Sequence, residues 1–94
     1  MSQLTYGQKL VGLKFNPSNL TSVDTCKQMY ADRINVMNEL RTTSSSQEQK
    51  RLCSIAITEL QGAQMWEVKA ITWIDGQDTN NLENNHLIDK VARF

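Results

Sequence analysis

Apolar positions recur at threes and fours through the middle of the chain. Val23, Cys26, Tyr30, Ile34, Met37 and Leu40 form one stripe, which predicts an amphipathic helix over about residues 22–41. The polar run "RTTSSSQ" (41–47) interrupts the pattern, and a longer helix is predicted over about residues 46–73. In it Leu52, Ala56, Glu59, Ala63, Trp66, Ala70 and Trp73 alternate steps of four and three, the seven-residue repeat of a helix lying along another helix. A second stripe runs beside it through Cys53, Ile57, Leu60 and Ile71, and Met65 and Val68 lie off both. One neighbour in a hairpin covers one stripe. The surplus predicts further partner helices, most simply from other subunits.

Turn and cap chemistry sets the boundaries. Thr5 to Gln8, Thr21 to Asp24 and Ser45 to Glu48 each have the spacing of a capping box, in which a hydroxyl and a side chain three residues on satisfy the first free backbone N–H groups. The first predicts a short N-terminal helix, weakened by Gly7 and stopped near Gly12 or before Pro17. "FNPSN" reads as a turn, because Asn16 precedes proline and Ser18 and Asn19 offer side-chain oxygens to the backbone. "DGQDTNNLENN" (75–85) reads as a connection, followed by a short terminal amphipathic helix carrying Leu87, Ile88, Val91 and Phe94. The expected architecture is all-α: one domain over residues 1–94, an antiparallel helical hairpin preceded by a short N-terminal helix and turn at about 4–20. A hairpin turning near residue 44 puts Cys26 opposite roughly residue 61, well away from Cys53.

Composition narrows the chemistry. Ninety-four residues bury a modest core, so metal, disulfides or self-association are the usual supplements. A lone His86 and two unpaired-spacing cysteines argue against metal. No secretory segment opens the chain and no stretch is long and apolar enough for a membrane span, so a reducing cytosol and free thiols are expected. Self-association is left. Ten basic residues balance ten acidic ones, which argues against a nucleic-acid polymer as partner. The first 23 residues nevertheless hold Lys9 and Lys14 and no acid, a local environment that suits a small anion.

A cysteine–histidine nucleophile is formally available from Cys26 or Cys53 with His86, but both cysteines fall on apolar stripes and no local signature supports it. No glycine-rich phosphate loop, metalloprotease motif or paired carboxylate stands out, so no catalytic residue, metal or cofactor is expected. Asn19-Leu20-Thr21 matches a glycosylation sequon that has no role without secretion. Trp66 and Trp73 present π faces on which bases stack, yet their heptad spacing favours core or interface, and with Met65 and Ile71 they are the expected oligomer contacts. Tyr6 sits near Lys9, Lys14 and the turn Asn16–Asn19, and the free N–H groups at Thr21–Asp24 add to these. Together they supply an aromatic face, ammonium groups and polar donors, the groups that hold a base and a phosphate. A surface turn with a scattered aromatic is the competing reading.

Two stretches, "LTYGQKLVGLKFNPSN" (4–19) and "KRLCSIAITELQGAQMWEVKAITW" (50–73), closely resemble the anti-CBASS protein two family of bacteriophages, sponges for the cyclic oligonucleotide messengers of bacterial defence. That family shares its helical-hairpin domain with the phage sponges that sequester the cyclic ADP-ribose messengers of Thoeris defence. The resemblance implies a homohexamer in the cytoplasm of the infected bacterial host. It would bind cyclic dinucleotides, and cyclic trinucleotides in separate pockets, between subunits and without cleaving them. Tyr6 of "TYG" then packs against a ligand base, and Ser18, Asn19, Leu20 and Thr21 supply backbone and hydroxyl contacts to phosphate. Family members tend to carry glycine at the place of Asn19 and a lysine shortly after it. Here the first lysine is Lys27, so either Lys27 or Lys9 serves instead or Thr21 hydrogen-bonds where the family uses charge, with Lys69 a further candidate if its face lies at an interface. The rival from another class is a small helical adaptor whose long helix binds a partner protein. An enzyme degrading the same messengers ranks third.

Overall fold

The computed structural model describes residues 3–75. Over that range the chain forms three helices, α1 (Tyr6–Leu10), α2 (Thr21–Thr43) and α3 (Gln47–Ile71), and no strand. Among the described residues no helix is long and apolar enough to cross a membrane. The expected terminal helix and asparagine-rich connection lie outside them.

α2 and α3 pack antiparallel as the expected hairpin, and α1 lies against α2. The core gathers Val11, Ala31, Ile34 and Ile57, edged by Leu10, Leu13, Tyr30, Met37 and Leu60. Val23, Cys26 and Cys53 are buried beside them. The stripe predicted for α2 is therefore the packed one as far as Met37, while Leu40 stays exposed at the far end. α3 turns its Cys53–Ile57–Leu60 stripe inward and continues it through buried Gln64. The heptad stripe with both tryptophans faces away: Trp66 is 73 % exposed and Trp73 44 %. One neighbour covers one stripe, and it is the one without the tryptophans.

Helix starts follow local side-chain competition. Thr5 caps α1 as expected, its hydroxyl accepting from Gln8 N–H at 3.1 Å while the Gln8 amide oxygen accepts from Thr5 N–H at 2.9 Å. The box expected at Thr21–Asp24 does not form. Leu20 is the N-cap, without a side-chain cap, because Asn16 Nδ2 donates to both the Leu20 carbonyl and the Asp24 carboxylate, each at 2.9 Å. α3 starts one residue later than its predicted box. Ser44 Oγ accepts the Ser46 N–H at 3.0 Å, which leaves Ser46 to cap Gln49 N–H at 3.1 Å.

The hairpin register also departs from expectation. Tyr30 Oη donates to Glu67 at 2.8 Å and Arg41 donates to Ser54 at 3.0 Å, and each pair centres near residue 48 rather than 44. The reason is the extended three-residue connection at 44–46, beyond which α3 must complete its first turns before it faces α2. Cys26 consequently lies beside Glu67, not residue 61, and both cysteines are free and buried. Burial, with Glu67 adding to it, pushes the Cys26 thiol up to about 11. The hydrogen bond to Glu67, with some desolvation, raises the Tyr30 phenol above its ordinary value.

Candidate functional site

The N-terminal segment runs along α2 in the opposite direction, and Gly7 fixes how closely. A Cβ at Gly7 would lie 2.1 Å from the Ala31 carbonyl oxygen, so only glycine lets α1 touch the α2 backbone. The Gly7 N–H donates to Asn35 Oδ1 at 2.7 Å, Asn35 Nδ2 donates to Thr5 Oγ1 at 3.0 Å, and Gln8 Nε2 donates to Gln28 at 3.0 Å. Gly7, which in sequence looks like a weakness in a short helix, is the point where α1 is seated.

That seating delivers Tyr6 to the C-terminal end of α2. The Arg41 guanidinium lies 5.6 Å from the Tyr6 ring centroid, and its Nη2 donates to the phenol oxygen at 3.3 Å. The same guanidinium donates to Asn38 Oδ1 at 2.7 Å and to Ser54 Oγ at 3.0 Å, so it joins all three helices. Tyr6 keeps 39 % of its surface exposed.

The turn at the other end of the segment is tied at the start of α2. Ser18 Oγ donates to Asn16 Oδ1 at 2.6 Å and accepts from Leu20 N–H at 3.2 Å. Asn19 adopts φ 58°, the left-handed conformation that glycine takes most easily and asparagine tolerates best among the other residues. Asparagine thus keeps a backbone turn suited to the glycine expected there. Leu20 and Thr21 are exposed. Lys27 is not exposed; its ammonium donates to the carbonyls of Gly12 at 3.0 Å and Phe15, and lies 5.5 Å from the Phe15 ring centroid. Its charge closes the loop that follows α1.

These groups do not converge within one chain. From Asp24, which meets the turn, to Arg41, which meets Tyr6, α2 rises about 26 Å. The two halves of one cyclic dinucleotide do not reach that far. Lys9 is exposed in the last turn of α1. Lys69 lies elsewhere again, on the outward face of α3, where Gly62, Met65, Trp66 and Lys69 line a shallow groove of ≈ 290 Å³. Its ammonium is 5.9 Å from the Trp73 ring centroid, and Met65 is 68 % exposed. Met65, Trp66 and Trp73 therefore share a face with Lys69, while Ile71 is half-buried on the stripe that continues Ile57 and Gln64.

Sequence reasoning missed Arg41, Asn38 and Ser54. Arg41 reads in sequence as an ordinary basic residue in the last turn of a helix, where a cation complements the dipole. Only the return of α1, 35 positions away, brings Tyr6 to it.

No curated protein and no solved structure matches the chain. A family match covers residues 8–72, from the capping glutamine of α1 to the C-cap of α3, so it includes the turn and the whole hairpin, while Tyr6 and Gly7 lie just before it. On that match the chain belongs to the Acb2/Tad1 hairpin-domain family, the anti-CBASS protein 2 and Thoeris anti-defence family of phage sponges.

Proposed function

We propose that this chain sequesters cyclic dinucleotides, and cyclic trinucleotides in a second kind of pocket, without cleaving them. The messengers would thereby be kept from CBASS effectors in the cytoplasm of the infected bacterium. The observation that carries the reading is the separation of the two binding ends: Tyr6 meets α2 at Arg41 and the Ser18–Thr21 turn meets it at Asp24, residues whose backbones lie about 26 Å apart along the helix. A pocket using both is made between copies, Tyr6 of one chain facing the turn of another. A cyclic dinucleotide has two equivalent halves, so a two-fold interface offers each half the same aromatic and the same turn. A neutral protein suffices for such a compact dianion, because a few local donors replace the basic field that a polymer demands. The uncovered α3 face of Met65, Trp66 and Trp73 is the surface on which copies would assemble, with a hexamer the expected product and Ile71 at its margin.

The same uncovered face favours a second reading, in which α3 docks a partner protein and the chain is an adaptor. One experiment separates the readings. Purified protein is incubated with cyclic di-AMP or cyclic tri-AMP, binding is measured, and the ligand is recovered after denaturation. Tight binding with intact ligand returned supports the sponge, cleaved ligand supports an enzyme, and no binding leaves the adaptor. Trp66→Glu should reduce the oligomer to smaller species in sedimentation; an unchanged assembly would remove Trp66 from the interface.

A further inference from the structure

Arg41 is, among the described residues, a cation without a counter-anion. Among the described residues the one ion pair is Arg51–Glu48 at 2.6 Å, so no carboxylate lies within bonding range of the Arg41 guanidinium. Its three hydrogen bonds end on neutral oxygens: the Ser54 hydroxyl, the Asn38 amide and the Tyr6 phenol. A guanidinium has five N–H donors in a rigid fork, so three such bonds position it and leave donors unspent. The C-terminal end of α2 contributes only about half a negative charge to balance it. Two of the three lysines considered for phosphate are placed differently: Lys27 is buried against two carbonyls, and Lys69 lies on the outward face of α3. Lys9 is exposed on α1 with no contact that aims it at the Tyr6 ring.

We infer that Arg41 is the phosphate-binding cation of the Tyr6 end, holding a ligand phosphate oxygen while the adjacent phenol ring packs against the base. The inference rests on the reading of Tyr6 as a ligand contact. It assigns the charge that this chain lacks after its turn to a residue on α2, reached through the fold and not through the sequence. A guanidinium stays charged while it is held, and here Nε–H and one Nη1–H remain to donate to a phosphate oxygen. The neutral acceptors aim the guanidinium without neutralising it.

The test measures cyclic di-AMP affinity against salt concentration for the wild type, Tyr6→Ala and Arg41→Gln, with helicity and oligomeric state checked for each. Arg41→Gln should lose at least about tenfold in affinity, and its salt slope should fall by about one, the signature of one lost phosphate contact. Tyr6→Ala should lose affinity with the slope unchanged. Wild-type affinity and slope in Arg41→Gln, alongside a defective Tyr6→Ala, would overturn the inference and leave the Tyr6 reading standing. Wild-type behaviour in both variants, or no binding by the wild type, would overturn the Tyr6 reading and the inference with it. Should Arg41→Gln fail to fold, the wild type itself decides: the Arg41 Nε–H resonance should shift and exchange more slowly when cyclic di-AMP is added. An unmoved resonance contradicts the assignment.

Discussion

The two ends of the N-terminal segment rest on the same helix and use their cations in opposite ways. At the turn, Lys27 points inward, buries its ammonium against the Gly12 and Phe15 carbonyls and holds the loop shut. At the Tyr6 end, Arg41 is aimed by three neutral oxygens and meets no carboxylate among the described residues. One charge has been consumed by the fold and the other has been positioned by it. A basic residue counted in a sequence is therefore not yet a basic residue available to a ligand; what it already donates to decides that.

The sharpest way to break the comparison is to unseat the segment itself. Gly7→Val places a side chain into the Ala31 carbonyl, so α1 must lift from α2. Overpacking of this kind costs about 1–3 kcal/mol. In a domain this small each kcal/mol lowers the melting temperature by about 4–8 °C. Tyr6 leaves Arg41 in the process, so cyclic di-AMP affinity should fall more than in any single-contact variant. Retained stability and affinity would mean that α1 is not seated by Gly7.

Lys27→Met asks about the other end. Two carbonyls lose their donor, which should cost about 1–3 kcal/mol in urea unfolding. Because the charge serves the loop, the salt slope of ligand binding should not change. A slope that falls while stability holds would show Lys27 to be a ligand cation and would erase the contrast with Arg41.

How much of this was legible beforehand depended on the distance between partners. The Thr5–Gln8 box formed as read because both of its hydrogen bonds lie within four residues. The Thr21–Asp24 box failed because Asn16, eight residues before Asp24, reached its carboxylate. The stripe from Val23 to Met37 was legible through its periodicity, and so was the surplus of apolar faces on α3. Periodicity did not say which stripe of α3 would face α2; packing chose Cys53 and Ile57 and left Trp66 outside. Arg41 was illegible for the plainest reason, since its pairing with Tyr6 spans 35 positions and exists only after α1 folds back. Asn19 takes a positive φ, which glycine adopts most easily and asparagine tolerates, a backbone detail that sequence alone does not display.

The smallest expected effect concerns pH, and it separates the turn end, where Cys26 and Tyr30 lie beside Glu67, from the Tyr6 end. Both groups have folded values raised above their ordinary ones, so the folded chain binds these protons more tightly than the unfolded chain. Their contribution to stability is whole below about pH 9, the ordinary thiol value, and is lost as pH rises through the folded values, about 11 for Cys26. Urea midpoints should be flat around neutrality and decline in that alkaline window, less so in Glu67→Gln. A midpoint that rises with alkali would contradict the Glu67 contacts.

The most direct test of the intersubunit pocket is complementation between defective chains. Tyr6→Ala removes the aromatic end, and Thr21→Glu places a carboxylate where the turn would meet phosphate; each variant alone should bind cyclic di-AMP poorly. If every half-site takes Tyr6 from one chain and the turn from another, co-refolding the two in equal amounts should rebuild about a quarter of the half-sites, one intact half in each mixed pocket, and raise binding above that of either variant. A mixture that binds no more than its two components separately would contradict the account.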